Sequence, residues 1–73
     1  RPDIIIKDQR NSRAAIIEVK HAKSASELPS LTDEAISQIK DREYDAPLRV
    51  LYEEITLWGM AFFEKRCLVK AER

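Results

Sequence analysis

Glycine is almost missing from this 73-residue chain, which has one Gly, three Pro and one Cys. With 44% hydrophobic residues, so little Gly and Pro excludes a flexible low-complexity segment and points to a folded one. The lone Cys67 cannot form an internal disulfide, which fits a reducing cytoplasm. No apolar run approaches the roughly 18 residues of a membrane span, and no secretory leader pattern is present. Charge of one sign is lacking too. Thirteen basic and thirteen acidic residues cancel, so no global positive field is available, although a local basic patch can survive a neutral total. Residues 1–73 are read as one small domain, whose single core can supply only about 3–5 kcal/mol. Because it opens on Arg1 and not Met, the chain is expected to be a piece of something longer.

What is there begins with Pro2-Asp3 and the run Ile4-Ile5-Ile6-Lys7. A polar stretch from Asp8 to Arg13 separates it from Ala14-Ala15-Ile16-Ile17, which ends on Glu18-Val19-Lys20. Two β-branched runs around a polar connection predict a β-hairpin. If Lys7 faces Ala14, then Ile5 faces Ile16, Ile4 faces Ile17 and Asp3 faces Glu18. Opposed residues on one face lie roughly 4.5–5.5 Å apart between Cβ atoms, and like charges there repel. A divalent cation between Asp3 and Glu18 would turn that repulsion into ligation. Lys20 shares their face and would be free to stabilise developing negative charge.

Further along, His21 to Pro29 reads as a polar connection. Leu31, Ala35, Ile36 and Ile39 recur at helical spacing, predicting a helix from about Leu31 to Glu43 with Ser30 or Thr32 as its cap. Glu34, Gln38 and Arg42 form a neighbouring polar stripe. Pro47 bars a simple continuation, and Leu48 to Glu54 reads as a helical turn or an irregular link. Ile55 to Phe63 and Cys67-Leu68-Val69 predict a second hairpin turning near Glu64-Lys65. Neither turn residue favours a positive φ, so a longer or bulged turn is expected. The order is β-β-α-β-β, an α/β (α+β) fold.

The arrangement Pro2-Asp3, spacer, Glu18-x-Lys20 resembles the PD-(D/E)xK nuclease superfamily. More narrowly, the chain resembles the small C-terminal nuclease-like domain of uncharacterised bacterial proteins with an N-terminal ATPase-like domain. The stretches that carry this likeness are Ile16 to Ser24, Ala35 to Tyr44 and Trp58 to Lys70, so it spans nearly the whole chain. The resemblance implies a fragment of a restriction-endonuclease-like mixed sheet that lacks its first helix. It implies hydrolysis of phosphodiester bonds in nucleic acid, DNA favoured, with Mg²⁺ or Mn²⁺. Asp3, Glu18 and the Val19 carbonyl would hold the ion, and Asp3, Glu18 and Lys20 would be catalytic. Lys23, Gln38 and Tyr44 would be substrate contacts, and the ATPase-like domain a partner. A sheet without its first helix would leave an apolar face, so self-association is also expected.

Each choice has a plainer alternative. Asp3 could be a turn residue after proline, and Glu18 with Lys20 a solvated strand face. Against the second stands the nearly continuous apolar run before Glu18, which suits a buried strand with a site at its end. Gln38 and Tyr44 lie six steps of roughly 100° apart, about 120° around a continuous helix, so sharing a site requires the helix to end first. Lys23 could be merely solvated. His21 points to the face opposite Glu18 and Lys20 and has no expected role. Trp58, Met60, Phe62 and Phe63 are expected in a core or interface, and Cys67 as a small buried hydrophobe. The alternative function is a catalytically silent interaction or dimerisation module of the same fold.

Overall fold

The computed structural model describes residues 2–73. Strands β1 (Ile4–Asp8) and β2 (Arg13–His21) are followed by a 3₁₀ turn over Ala25–Glu27 and helices α1 (Leu28–Asp41) and α2 (Ala46–Leu51). Strands β3 (Glu54–Phe63) and β4 (Arg66–Glu72) complete the chain. The four strands form one mixed sheet in sequential order, with β2 and β3 parallel at its centre and the outer pairs antiparallel. Parallel neighbours need a crossover, and α1 with α2 provides it. This is the α+β, β-β-α-β-β architecture expected of the sequence.

The first hairpin pairs as the apolar runs dictate, Ile4 with Ile17, Ile5 with Ile16 and Lys7 with Ala14. Its loop is closed by Asp8, which accepts from Asn11 and Arg13. Ser12, at φ 52°, then receives the Glu53 and Glu54 N–H groups on its carbonyl and so ties this loop to the start of β3.

Helix α1 starts three residues earlier than the apolar period predicts. Pro29 lies in its first turn, where a missing N–H costs nothing. Ser30 and Thr32 do not cap it. Their hydroxyls donate back to the carbonyls of Glu27 and Pro29, inside the helix. Its C-terminus is a Schellman motif built without glycine. Tyr44 N–H reaches the Ile39 carbonyl, Glu43 N–H reaches the Lys40 carbonyl, and Glu43 takes φ 54°. The second hairpin is also tighter than expected. Phe63 pairs with Arg66 across two turn residues, and Glu64 accepts φ 53°.

The core lies between α1, α2 and one face of the sheet. Ile16, Ile39 and Leu57 are almost fully buried there, with Ala14, Ile36, Leu48, Tyr52 and Ile55 around them. Each such aliphatic side chain contributes about 1.5–3 kcal/mol by leaving water. The lone Gly59 faces α1, and a Cβ on it would overlap the Thr32 carbonyl oxygen and stand 3.1 Å from Ile36 Cγ1. Glycine in this strand therefore sets how closely the helix approaches the sheet.

Among the described residues the other face carries no helix. Ile4 and Ile6 stay 46% and 55% exposed, and with Ala15, Ile17, Thr56, Trp58 and Met60 they leave an open apolar surface with a hollow of about 590 Å³. Trp58 and Met60 are thus on the uncovered face and not in the core. Cys67 is exposed, contrary to the sequence expectation. It pairs with Phe62 on this same bare face, in a β4 that is an exposed edge strand throughout. No helix among the described residues is long and apolar enough to cross a membrane.

Candidate functional site

Strand β2 alternates between covered and open faces, which sends Ala14, Ile16 and Glu18 under α1. Glu18 is therefore buried, at 3% exposure, in a position a hydrophobic residue would ordinarily fill. Its neighbour across the parallel pair is Gly59, so the helix lies close beside the carboxylate.

A buried carboxylate must find donors or lose its charge. Glu18 has two. Its Oε1 accepts from the Asp3 backbone N–H at 3.1 Å, and its Oε2 accepts from Gln38 Nε2 at 2.6 Å. The Asp3 carboxylate in turn accepts the Val19 N–H at 2.8 Å, filling the place on the ladder that β1 would occupy had it begun sooner. The N–H and C=O of a strand residue point the same way, so the Val19 carbonyl emerges on the Asp3 side as well. Lys20 points to the helix side and donates to Gln38 Oε1 at 2.6 Å. Asp3, Glu18, Val19, Lys20 and Gln38 thus form one connected set at the end of the first hairpin.

Tyr44 is half-buried against the core, and its hydroxyl accepts from Arg42 Nη1 at 3.2 Å. The hydrogen bond to Tyr44 and the negative field of Glu18 both hold Arg42 in its charged form. Arg42 is thus a basic group near the site that the sequence reading left on the polar stripe. Being next to Gln38's helix end was the available signal. Lys23 is exposed beyond β2, and its backbone N–H donates to Glu27. His21 is exposed and stacks at a tilt on Phe62, away from the set.

Burial pushes the Glu18 carboxyl above its ordinary value of 4.5, and the nearby Asp3 carboxylate adds to the rise, while the Asp3 N–H and the Lys20 charge partly oppose it. The folded state therefore keeps this proton to higher pH than the unfolded chain does. Between the two values the folded form binds more protons, so stability falls as pH rises across that window. Expressed against Glu18→Gln, wild-type stability is expected to decline from about pH 4.5 upward and level off once the folded carboxyl is ionised. Urea unfolding in a pH series checks this, and a difference that rises with pH would contradict the burial account.

Asp3 and Glu18 are the groups of this set that could hold a divalent cation. A carboxylate oxygen has two lone pairs, so Glu18 can keep its hydrogen bonds and still ligate. A cation would also relieve the cost of holding Glu18 charged in a buried place. Among the described residues no third Asp, Glu, His or Cys joins the pair. Two carboxylates and a carbonyl suit Mg²⁺, which usually takes one or two carboxylates and retains several waters.

No curated protein and no solved structure matches this chain. A family model described as the PD-(D/E)XK nuclease superfamily matches residues 1–72. With the match covering all but the last residue, the chain belongs to the PD-(D/E)XK nuclease superfamily.

Proposed function

We propose that this domain hydrolyses phosphodiester bonds in nucleic acid, DNA favoured over RNA, with Mg²⁺ or Mn²⁺. The observation that carries the reading is Glu18, a buried carboxylate at a strand end, joined through hydrogen bonds to Asp3 on one side and to Lys20 through Gln38 on the other. Asp3, Glu18 and the Val19 carbonyl would hold the ion. The ion, when bound, lowers the pKa of a bound water and polarises the scissile phosphate. Lys20 sits two residues past Glu18 with its ammonium already oriented, where it can stabilise charge developing on the phosphate or orient the attacking water. Lys23 and Tyr44, with Arg42 on the Tyr44 hydroxyl, are suited to phosphate contacts that position the strand. In the complete protein an ATPase-like domain would precede this one, and the lone thiol supports a cytosolic setting.

The test is cleavage of single- and double-stranded DNA and RNA with Mg²⁺ or Mn²⁺, repeated after chelation. Products are expected only with the ion. Cleavage that survives chelation would remove the metal role, and no cleavage of any of the four would favour the silent module.

That second reading has one observation in its favour, the bare apolar face of Ile4, Ile6, Ile17, Trp58 and Met60. A domain this small often gains stability by association, and a second copy of the chain is the occupant this reading takes. Sedimentation is then expected to show a concentration-dependent dimer that Ile6→Lys weakens. A well-folded species that stays monomeric at high concentration would contradict it.

A further inference from the structure

Gln38 is engaged at both ends of its amide. Nε2 donates to Glu18 Oε2 and Oε1 accepts from Lys20 Nζ, each at 2.6 Å. The partners force this polarity, since an ammonium only donates and an ionised carboxylate only accepts. Lys20 and Glu18 lie two residues apart on one face of β2, a spacing at which opposite charges can close on each other. The ion pairs among the described residues lie elsewhere, such as Asp8–Arg13 and Asp33–Lys70, and Lys20 and Glu18 do not form one. A single neutral amide stands between the two charges.

We propose that Gln38 is a positioning residue whose amide holds Lys20 off Glu18, so that each charge stays available for its own task. The inference rests on the metal-dependent reading above. With the amide in place, Glu18 keeps lone pairs for a cation, and Lys20 keeps two N–H donors for a phosphate oxygen. Without it, the ammonium closes directly onto Glu18, where it competes with the ion and is withdrawn from the charge that develops on the phosphate. This role differs from the substrate contact that the sequence resemblance implies for Gln38. Its two polar atoms already serve protein partners, and its influence on the reaction runs through them.

Three measurements decide it. In the wild-type protein, NMR is expected to show the Lys20 ammonium exchanging its protons more slowly than exposed lysines do. Exchange as fast as theirs overturns the proposal. Gln38→Met, of similar length but without polar atoms, is expected to move the ammonium onto Glu18, read as a change in the Lys20 Nζ shift, and to weaken Mn²⁺ binding about 10-fold, the lower end of what partners behind metal ligands typically cost. In cleavage assays it is expected to lower kcat about 10- to 100-fold with KM unchanged. A raised KM with unchanged kcat would instead identify a substrate contact and overturn the positioning role. Should Gln38→Met fail to fold, Lys20→Met serves in its place. It frees the Gln38 carbonyl, so the Gln38 side-chain amide resonances must shift, and unchanged resonances overturn the proposal. A wild-type protein that cleaves nothing with any ion would defeat the nuclease reading, while ammonium exchange would still decide the role of Gln38.

Discussion

Lys20→Ala is expected to abolish most turnover while sparing metal affinity, whereas Asp3→Ala and Glu18→Ala lose both. The split follows from chemistry. A cationic side chain does not ligate a cation, so removing Lys20 leaves Asp3, Glu18 and Val19 unchanged as ligands. What disappears is a positive charge held by Gln38, which the proposed function sets beside the reacting phosphate. Removing one such oriented group commonly costs about 10²–10³-fold in kcat. The carboxylate variants remove the proposed anchors of the ion, and activity should fall to background. Glu18→Ala also leaves the Asp3 N–H and the Gln38 amide without their acceptor. Its fold must therefore be confirmed separately. Activity unchanged in Lys20→Ala would reject the role given to the lysine while leaving the ion in place.

Gly59→Ala is expected to be the most damaging single-methyl change in the domain. Were there room, Gly to Ala in a strand would stabilise by about 0.4–1 kcal/mol through the unfolded chain. Here the new Cβ meets the Thr32 carbonyl oxygen, with Ile36 Cγ1 and Ala35 Cβ only 3.1 and 3.2 Å away. The obstacle is main chain, so no side-chain rotation relieves it and α1 must move off the sheet. Overpacking of this kind typically costs about 1–3 kcal/mol. Against a total of about 3–5 kcal/mol, that is a large share of the stability the domain has. At roughly 4–8 °C per kcal/mol for a domain of this size, the unfolding midpoint should drop by about 4–24 °C. A helix displaced beside Gly59 also carries Gln38 away from Glu18, so any folded fraction should lose activity. An unchanged or raised midpoint by calorimetry would mean that α1 does not approach the sheet this closely.

The first hairpin was legible in the sequence because two β-branched runs and a polar loop leave few ways to pair. The opposition of Asp3 and Glu18 followed from it. Legible too was the burden on a four-stranded sheet with too few residues to cover both faces, now seen as the bare surface around Trp58 and Met60. The start of α1 was not. Leu28-Pro29 reads as loop, yet proline is tolerated in a first turn, and the Ser30 and Thr32 hydroxyls that suggest a cap bond backward instead. Nor was the turn at Glu43, nor the tightness of the one at Glu64-Lys65, whose place was legible, since both put a glutamate at positive φ where local preference asks for glycine or asparagine. The Schellman end of α1 is what turns the chain at Tyr44, so its relation to Gln38 could not be computed from a continuous helix. Cys67 was misjudged because burial of an edge strand depends on what covers it, a property of the whole fold. Gly59 was the missed signal. A lone glycine inside a strand marks close backbone approach, and here it stands beside the buried carboxylate.

The central claim is that Asp3 and Glu18 together form a site for a divalent ion. Titration calorimetry with Mn²⁺ at neutral pH tests it directly, comparing wild type with Asp3→Ala/Glu18→Ala and confirming by circular dichroism that both are folded. The account predicts saturable binding of Mn²⁺ to the wild type and its loss in the double variant. Equal affinity in the two proteins would contradict it.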